Sequence, residues 1–380
     1  MEALILGWYI LTETNSVILL TIFGAFRYIG TLLSPWFGLA GDRWSRRKMM
    51  YSMRGFMTCL AAIVMVMGLL DGLTPNYVFA VAFFSGLVQP SDTVMRNSLI
   101  GDSMPASMFM NAMSVSRAAQ DTARIFGALT GAALFSVFGI GLAYVFVVGI
   151  YLLSVLLTFG VSKAHPWVDR RENGSYFSEK PSQLREFKDG LVHIWNTPSV
   201  LAIICLAFLA NLTAFPVTHG LMPYIAKDIL QVDENGLGHL MAAFSIGAVI
   251  GSLILAWTRS QRHSKKLMLI NMVIWYLMLV LFAQISTKQV ALIMLVLGGI
   301  SYSLAMVSMG AALLDVTEEL LRGRIMGVRM LAVYGVPLGL LGSGILIEVF
   351  GFTAFVGIYA VIGIFFTILI AISWRVALWR

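Results

Sequence analysis

Apolar residues run along this chain in unbroken stretches of about 20, the length a helix needs to cross a bilayer. Short polar breaks separate them, and polar residues do not alternate within them. Alternation with period two would mark barrel strands. Lipid offers the backbone no hydrogen bonds, so continuous apolar runs must satisfy their own N–H and C=O groups as helices. The runs fall at 1–12, 17–41, 49–70, 77–99, 109–136 and 141–162. After a polar stretch at 163–196 they resume at 197–221, 236–257, 267–285, 289–314, 325–348 and 352–374. This pattern predicts an all-α polytopic membrane protein. A first six-helix bundle covers 1–162, a cytoplasmic linker 163–196, and a second six-helix bundle 197–380. The run at 1–12 is shorter than a crossing, so the first helix is expected to be short or truncated, with span one incomplete.

Composition agrees with lipid as the solvent. Hydrophobic residues make up 59% of the 380 and charged residues 12%, with a mean hydropathy of +0.85. Soluble domains carry about 25% charge. The net charge of +7 could suggest nucleic acid. The basic residues sit instead in short loops between apolar runs, as membrane topology requires, and no nucleic-acid partner is expected. Loops assigned to one side hold eighteen Lys and Arg, those on the other only Lys227 and Lys288. By the positive-inside rule, both termini and the linker are expected on the cytoplasmic side of an inner membrane. Cys59 and Cys205 lie within apolar runs, where they read as small hydrophobes.

The two halves echo each other. Phe138-Gly139 ends one run and Phe350-Gly351 another, 212 residues apart; Arg117 and Arg329 keep the same separation. Asp102 and Asp315 match at 213. Glycines precede both ends at four-residue spacing: Gly127 and Gly131, then Gly335 and Gly339, with Ser343 next. Small residues at this spacing serve helix packing. The constant offset argues further for duplicated halves rocking about a central cavity. In the linker, Leu184, Phe187, Leu191 and Ile194 recur at helical spacing, predicting an interfacial helix.

Ionisable residues inside the runs are the candidate chemistry, because each costs about 2.5–3.5 kcal/mol at mid-membrane. Asp92 and Arg96 are spaced to pair on one helix, and Arg117, Asp121 and Arg124 share a helix face. These five could form a proton-coupling network or a set of permanent salt bridges. Arg54 and Glu348 are further candidates. Arg27, Asn211, Asn271 and Tyr334 are candidates to line a cavity, and interhelical hydrogen bonding explains the asparagines equally well. His219 and His239 read as a titrating switch or as ordinary loop histidines. No GxxxxGK motif followed by Ser or Thr is present, nor any Ser/His/Asp grouping or metal-ligand spacing. The chain is therefore expected to be no enzyme and to need no metal or cofactor. Its energy should come from protons or another coupling ion, and its partners should be a small molecule and the bilayer. It is expected to act as a monomer.

Residues 38–48 read Gly-Leu-Ala-Gly-Asp-Arg-Trp-Ser-Arg-Arg-Lys. This segment resembles the signature loop of the major facilitator superfamily, matching it at Gly38, Asp42, Arg43, Arg46 and Arg47. Ala40 stands where leucine is usual and Ser45 where glycine is usual. The resemblance implies that these five residues gate the cytoplasmic side; a simple positive-inside clamp is the alternative. The equivalent loop of the second half, 257–266, keeps the basic charge but has no Asp. The segments 89–105, 184–198, 321–328 and 335–346 are similar to the branch that holds the enterobactin exporter and the macrolide efflux proteins. That likeness implies proton-linked export of an amphipathic small molecule. An uptake permease of the same fold and a non-transporting scaffold or sensor are the competing expectations.

Overall fold

The computed structural model describes residues 1–33, 46–103, 109–160, 192, 194–258, 264–317 and 329–376. Among the described residues every regular element is helical. In the first part of the chain, α1 is Glu2–Thr14, α2 Val17–Phe26, α3 Arg46–Leu69, α4 Pro75–Ser103 and α5 Phe109–Phe159. In the second, α6 is Pro198–Thr213, α7 Glu234–Thr258, α8 Ser264–Phe282, α9 Lys288–Asp315, α10 Gly335–Phe350 and α11 Phe352–Ser373. Seven helices among the described residues are long and apolar enough to cross a membrane. Large apolar side chains stay exposed along them, among them Phe126, Leu156, Val361 and Phe365. Exposed apolar surface of this extent suits a lipid environment.

The runs 109–136 and 141–162 form one helix by hydrogen bonding, but Gly139 interrupts it at φ 70°, ψ −177°. Gly351 makes the same break between α10 and α11 at φ 82°, ψ 167°. Both values lie where a Cβ would be strained, which accounts for glycine at both. The pair is separated by the offset read from the sequence, and the backbone repeats with it.

Three runs do not stay α-helical as expected. The run 17–41 leaves α geometry after Phe26 and tightens to a 3-10 turn at Ile29–Leu33. The run 197–221 passes into a π turn at Pro216–Gly220, followed by a second at Ile225–Ile229. Pro216 and Pro223 cannot donate to an α ladder, and this disturbs the register there. The run 325–348 begins, within the described residues, with a 3-10 turn at Met330–Tyr334 before α10.

Two compact units make up the structure. One gathers Met1–Ala25, Asp121–Ser136 and Phe187–Arg380; the other holds Phe26–Gln120 and Val137–Glu186. In the first unit α1 is buried nearly all round, with Leu4, Ile5, Leu6, Ile10 and Leu11 at 2% exposure or less. That suits a helix apolar on every face. Trp275, Tyr276 and Phe355 are the largest side chains fully enclosed there. Backbones approach closely where glycines permit. A Cβ on Gly339 would stand 2.0 Å from the Leu212 carbonyl oxygen, and one on Gly247 2.1 Å from that of Val296. In the second unit a Cβ on Gly86 would meet the Phe26 carbonyl oxygen at 2.0 Å, and Gly68 lies against Gly141. Of the linker helix, Ile194 is buried; Leu184, Phe187 and Leu191 lie outside the described residues.

Candidate functional site

In the second unit the polar centre is built on α3. Arg54 Nε lies 3.2 Å from Asp92 Oδ1 of α4, with both side chains largely shielded. Its Nη1 also donates to Thr158 Oγ1 at 2.7 Å and approaches the Ser154 carbonyl oxygen at 3.4 Å, both on the last part of α5. One guanidinium thus joins three helices through its fork of donors. Arg47, the second residue of α3, donates to the Phe159 carbonyl oxygen. Asp92 therefore pairs with Arg54 and not with Arg96, as the i, i+4 spacing suggested; the Arg96 Nε is buried without a hydrogen-bond partner among the described residues. The helical spacing brings Asp92 and Arg96 to one face, but α3 supplies the nearer cation.

In the first unit a polar latch joins α1 to segments more than 200 positions away. Trp8 Nε1 donates to Glu234 Oε1 at 3.0 Å. Glu234 lies in the first turn of α7, where a carboxylate also meets the positive end of the helix dipole. Asp233 Oδ1 accepts from the Gly236 N–H at 2.9 Å, capping the same helix. Asn15 ends α1 in the left-handed conformation at φ 47°. The Lys227 ammonium bonds the Leu11 carbonyl oxygen at 3.1 Å and Asn15 Oδ1 at 2.6 Å. A cation there satisfies orphan carbonyls at a helix C-terminus. Beside Lys227, burial pushes the Asp228 carboxyl above its ordinary value, and the lysine pulls it back only partly.

Beneath this latch runs a seam of small residues. A Cβ on Gly7 would meet Pro223 at 3.2 Å, and one on Gly131 the first residue, Met1, at 3.0 Å. One on Gly238 would stand 2.5 Å from the Ala132 methyl, and one on Gly344 2.4 Å from Thr21 Oγ1. Helices α1, α2 and the middle of α5 are thereby held against α7 and α10. Gly131, chosen for its spacing before the break, sits in this seam, and Gly335 and Gly339 pack against α6 instead.

The other expected site residues scatter. Gly38, Asp42 and Arg43 lie outside the described residues, and Arg46 opens α3. Arg117 lies on α5 but its side chain is outside the described set; Asp121 and Arg124 approach to 3.6 Å in the first unit, whereas Arg54 belongs to the second. Arg27 is half-buried just past α2, its Cα facing Gly86. Asn211 and Asn271 turn their amides onto their own helices, donating to Ala207 at 2.8 Å and Leu267 at 2.9 Å. The Tyr334 hydroxyl is buried without a partner among the described residues.

Sequence reasoning missed an aromatic cluster around His219. Phe215, one helical turn back, stacks on the imidazole at 4.7 Å between centroids. Phe244 of α7 and Tyr302 of α9 approach it edge-on at 5.9 Å and 6.2 Å. Trp275 of α8 closes the group at 5.7 Å from Phe215 and 5.1 Å from Tyr302. Thr218 Oγ1 lies 2.9 Å from His219 Nδ1. The four-residue spacing of Phe215 and His219 was visible in the sequence; the rings from three other helices were not.

Closely packed helices apolar enough to cross a membrane, with shielded or half-buried cations between them, are what a polytopic membrane protein presents. The chain belongs to the family described as transmembrane secretion effector, within the major facilitator transporters, whose pattern matches residues 14–380. Family and fold are those of transporters, which are not enzymes. A curated relative, the uncharacterized MFS-type transporter YfmI of Bacillus subtilis (strain 168), is 21% identical over 253 residues. That match covers 66% of this chain and 59% of the relative, so the chain spans less than two thirds of its length. Among solved structures, a D-xylose-proton symporter has a TM-score of 0.75 at 12% identity, covering 97% of this chain and 94% of that one. The nucleoside transporter NupG has a TM-score of 0.61 at 17% identity, covering 99% and 96%. At such identities the likeness shows the fold.

Proposed function

We propose that this protein is a secondary active transporter that exports an amphipathic small molecule in exchange for protons, by alternating access. The observation that carries this reading is the latch. Trp8 with Glu234, and Lys227 with the end of α1, tie the first part of the chain to the second through polar contacts that water can replace. A contact of that kind can close one mouth of a cavity and release it. The family description as a secretion effector supports the outward direction. So does the resemblance of 89–105, 184–198, 321–328 and 335–346 to the enterobactin and macrolide exporters. The symporter among the solved structures supports protons as the coupling ion.

In this reading the halves are 1–162 and 197–380, joined by the linker 163–196. The protein is a monomer in the cytoplasmic membrane with both termini inside. Lys227 belongs to an outer loop by the distribution of basic residues, so the latch is the outer gate. The loop carrying Gly38, Asp42, Arg43, Arg46 and Arg47 is the inner one.

Flux of ethidium into inside-out proteoliposomes under an imposed pH gradient tests the proposal. Gradient-driven accumulation, reduced at least about tenfold by Asp42→Asn as expected for loss of a gating carboxylate, is the expected result. Accumulation with the opposite polarity would favour an uptake permease. No gradient-dependent flux of ethidium or other amphiphiles would favour a scaffold or sensor.

A further inference from the structure

We infer that His219 is the group that takes up and releases the coupling proton, and that it acts on the outer gate through Leu340. This rests on the proton-coupled reading above and deepens it. An imidazole ordinarily titrates near pH 6.5, so it changes charge in the range where cells maintain proton gradients. It is also neutral when unprotonated, which makes it far cheaper to keep among apolar side chains than a carboxylate.

The described carboxylates within the spans are otherwise engaged or remote, including Glu2, which is engaged in the first turn of α1. Asp92 is held by Arg54 and Asp121 lies beside Arg124. Glu348 is exposed two residues from the end of α10, and Glu13 is exposed one residue from the end of α1.

The surroundings of His219 suit both of its charge states. Protonated, the ring would lie against the face of Phe215, where the aromatic quadrupole attracts a cation. The Thr218 hydroxyl at 2.9 Å can accept from Nδ1–H or donate to a bare Nδ1, so neither state is left without a bond there. The Tyr302 phenol is a titratable group in ring contact. Charged groups of the elements packed around the site lie toward their ends. They are Glu234 and His239 on α7, Lys265 and Lys266 on α8, Lys288 and Asp315 on α9, and Glu348 on α10; Lys227 and Asp228 follow in the next π turn.

Position supplies the coupling. His219 sits in the π turn Pro216–Gly220, a geometry that recurs at functional sites because the extra residue per turn leaves the ladder easy to rearrange. A Cβ on the adjacent Gly220 would stand 2.2 Å from Leu340 Cδ2, and one on Gly24 of α2 would stand 3.1 Å from Leu340 Cδ1. Leu340 is thus wedged between the turn carrying the imidazole and a helix from the first part of the chain. A charge appearing on His219 draws the ring against the Phe215 face and so shifts the turn that carries Gly220. That shift reaches the α2–α10 seam in a single contact. Export then follows proton arrival at His219 from the outer side and proton loss to the cytoplasm.

Two measurements on the full chain in lipid test this. In a nitrogen-15 histidine spectrum the chain has five imidazoles, and His219→Gln identifies one of them. That resonance should titrate between about pH 5 and 8; a resonance that keeps one charge state across the range overturns the inference. In the ethidium assay, His219→Gln and His219→Asn should lose the stimulation by a pH gradient at least about tenfold. Undiminished stimulation in either variant also overturns it. Absence of stimulation in the wild type instead removes the proton-coupled reading itself, together with any coupling role for His219.

Discussion

Arg54 in the second unit and Lys227 in the first are both cations held by oxygen atoms, yet they join different things. Arg54 draws its partners Asp92, Ser154 and Thr158 from helices within one stretch of about 100 residues, and it is shielded. Lys227 reaches back 216 residues to the Leu11 carbonyl oxygen and 212 to Asn15, and it is only half-buried. A shielded guanidinium with several oxygen partners is costly to release, because its carboxylate would be left uncompensated. A half-exposed ammonium on a carbonyl and an amide oxygen can exchange them for water at little cost. The first arrangement suits a staple that holds in every state, the second a gate that opens. A transporter needs both, and the difference lies in shielding and in which segments are joined, not in residue type.

The strongest way to break this contrast is Arg54→Leu. It leaves Asp92 a shielded carboxylate with no cation, and should cost about 3 kcal/mol or more of stability, read as a lowered Tm of the purified protein. An unchanged Tm would mean that the pair is not a staple. Gly238→Val comes next. Its Cβ would fall 2.5 Å from the Ala132 methyl, so the seam must part. Overpacking of this kind costs about 1–3 kcal/mol, and alkylation of a cysteine placed at Asn235 should speed up accordingly. Lys227→Met should act in the same direction by about 1 kcal/mol or less, with Tm hardly altered; a large fall in Tm would make Lys227 a staple as well.

The smallest effect belongs to pH at Asp228. Burial holds its carboxyl above the ordinary carboxylate value, so the folded protein binds this proton more readily than the unfolded chain does. Its contribution is full below the ordinary value and fades as pH rises through the raised one. Asp228→Asn should flatten this part of a Tm–pH profile while leaving the rest unchanged. A profile that keeps its slope would assign it to another group.

Much of this was legible in the sequence because the bilayer reads the sequence one segment at a time. Each run had to be helical for reasons that do not depend on its neighbours, so α3, α7, α8, α9 and α11 begin and end within a few residues of the apolar runs. Phe138-Gly139 and Phe350-Gly351 marked breaks that the backbone carries out with nearly the same dihedrals. The polar sites were less legible. Helical spacing placed Asp92 and Arg96 together, but which cation a carboxylate meets depends on the neighbouring helix, and α3 brings Arg54 closer. Asn211 and Asn271 looked like cavity donors, yet each amide finds its own i−4 carbonyl before any ligand.

From its own residues the chain dictated helices, their approximate limits, their glycine breaks and their placement in lipid, because these follow from local hydrogen bonding and from the polarity of each segment. Only the folded arrangement decided that Trp8 meets Glu234, that Lys227 caps α1 and that Phe244, Trp275 and Tyr302 join the Phe215–His219 pair. Those contacts join positions tens to hundreds of residues apart, and no periodicity along a chain encodes which helices come to lie side by side.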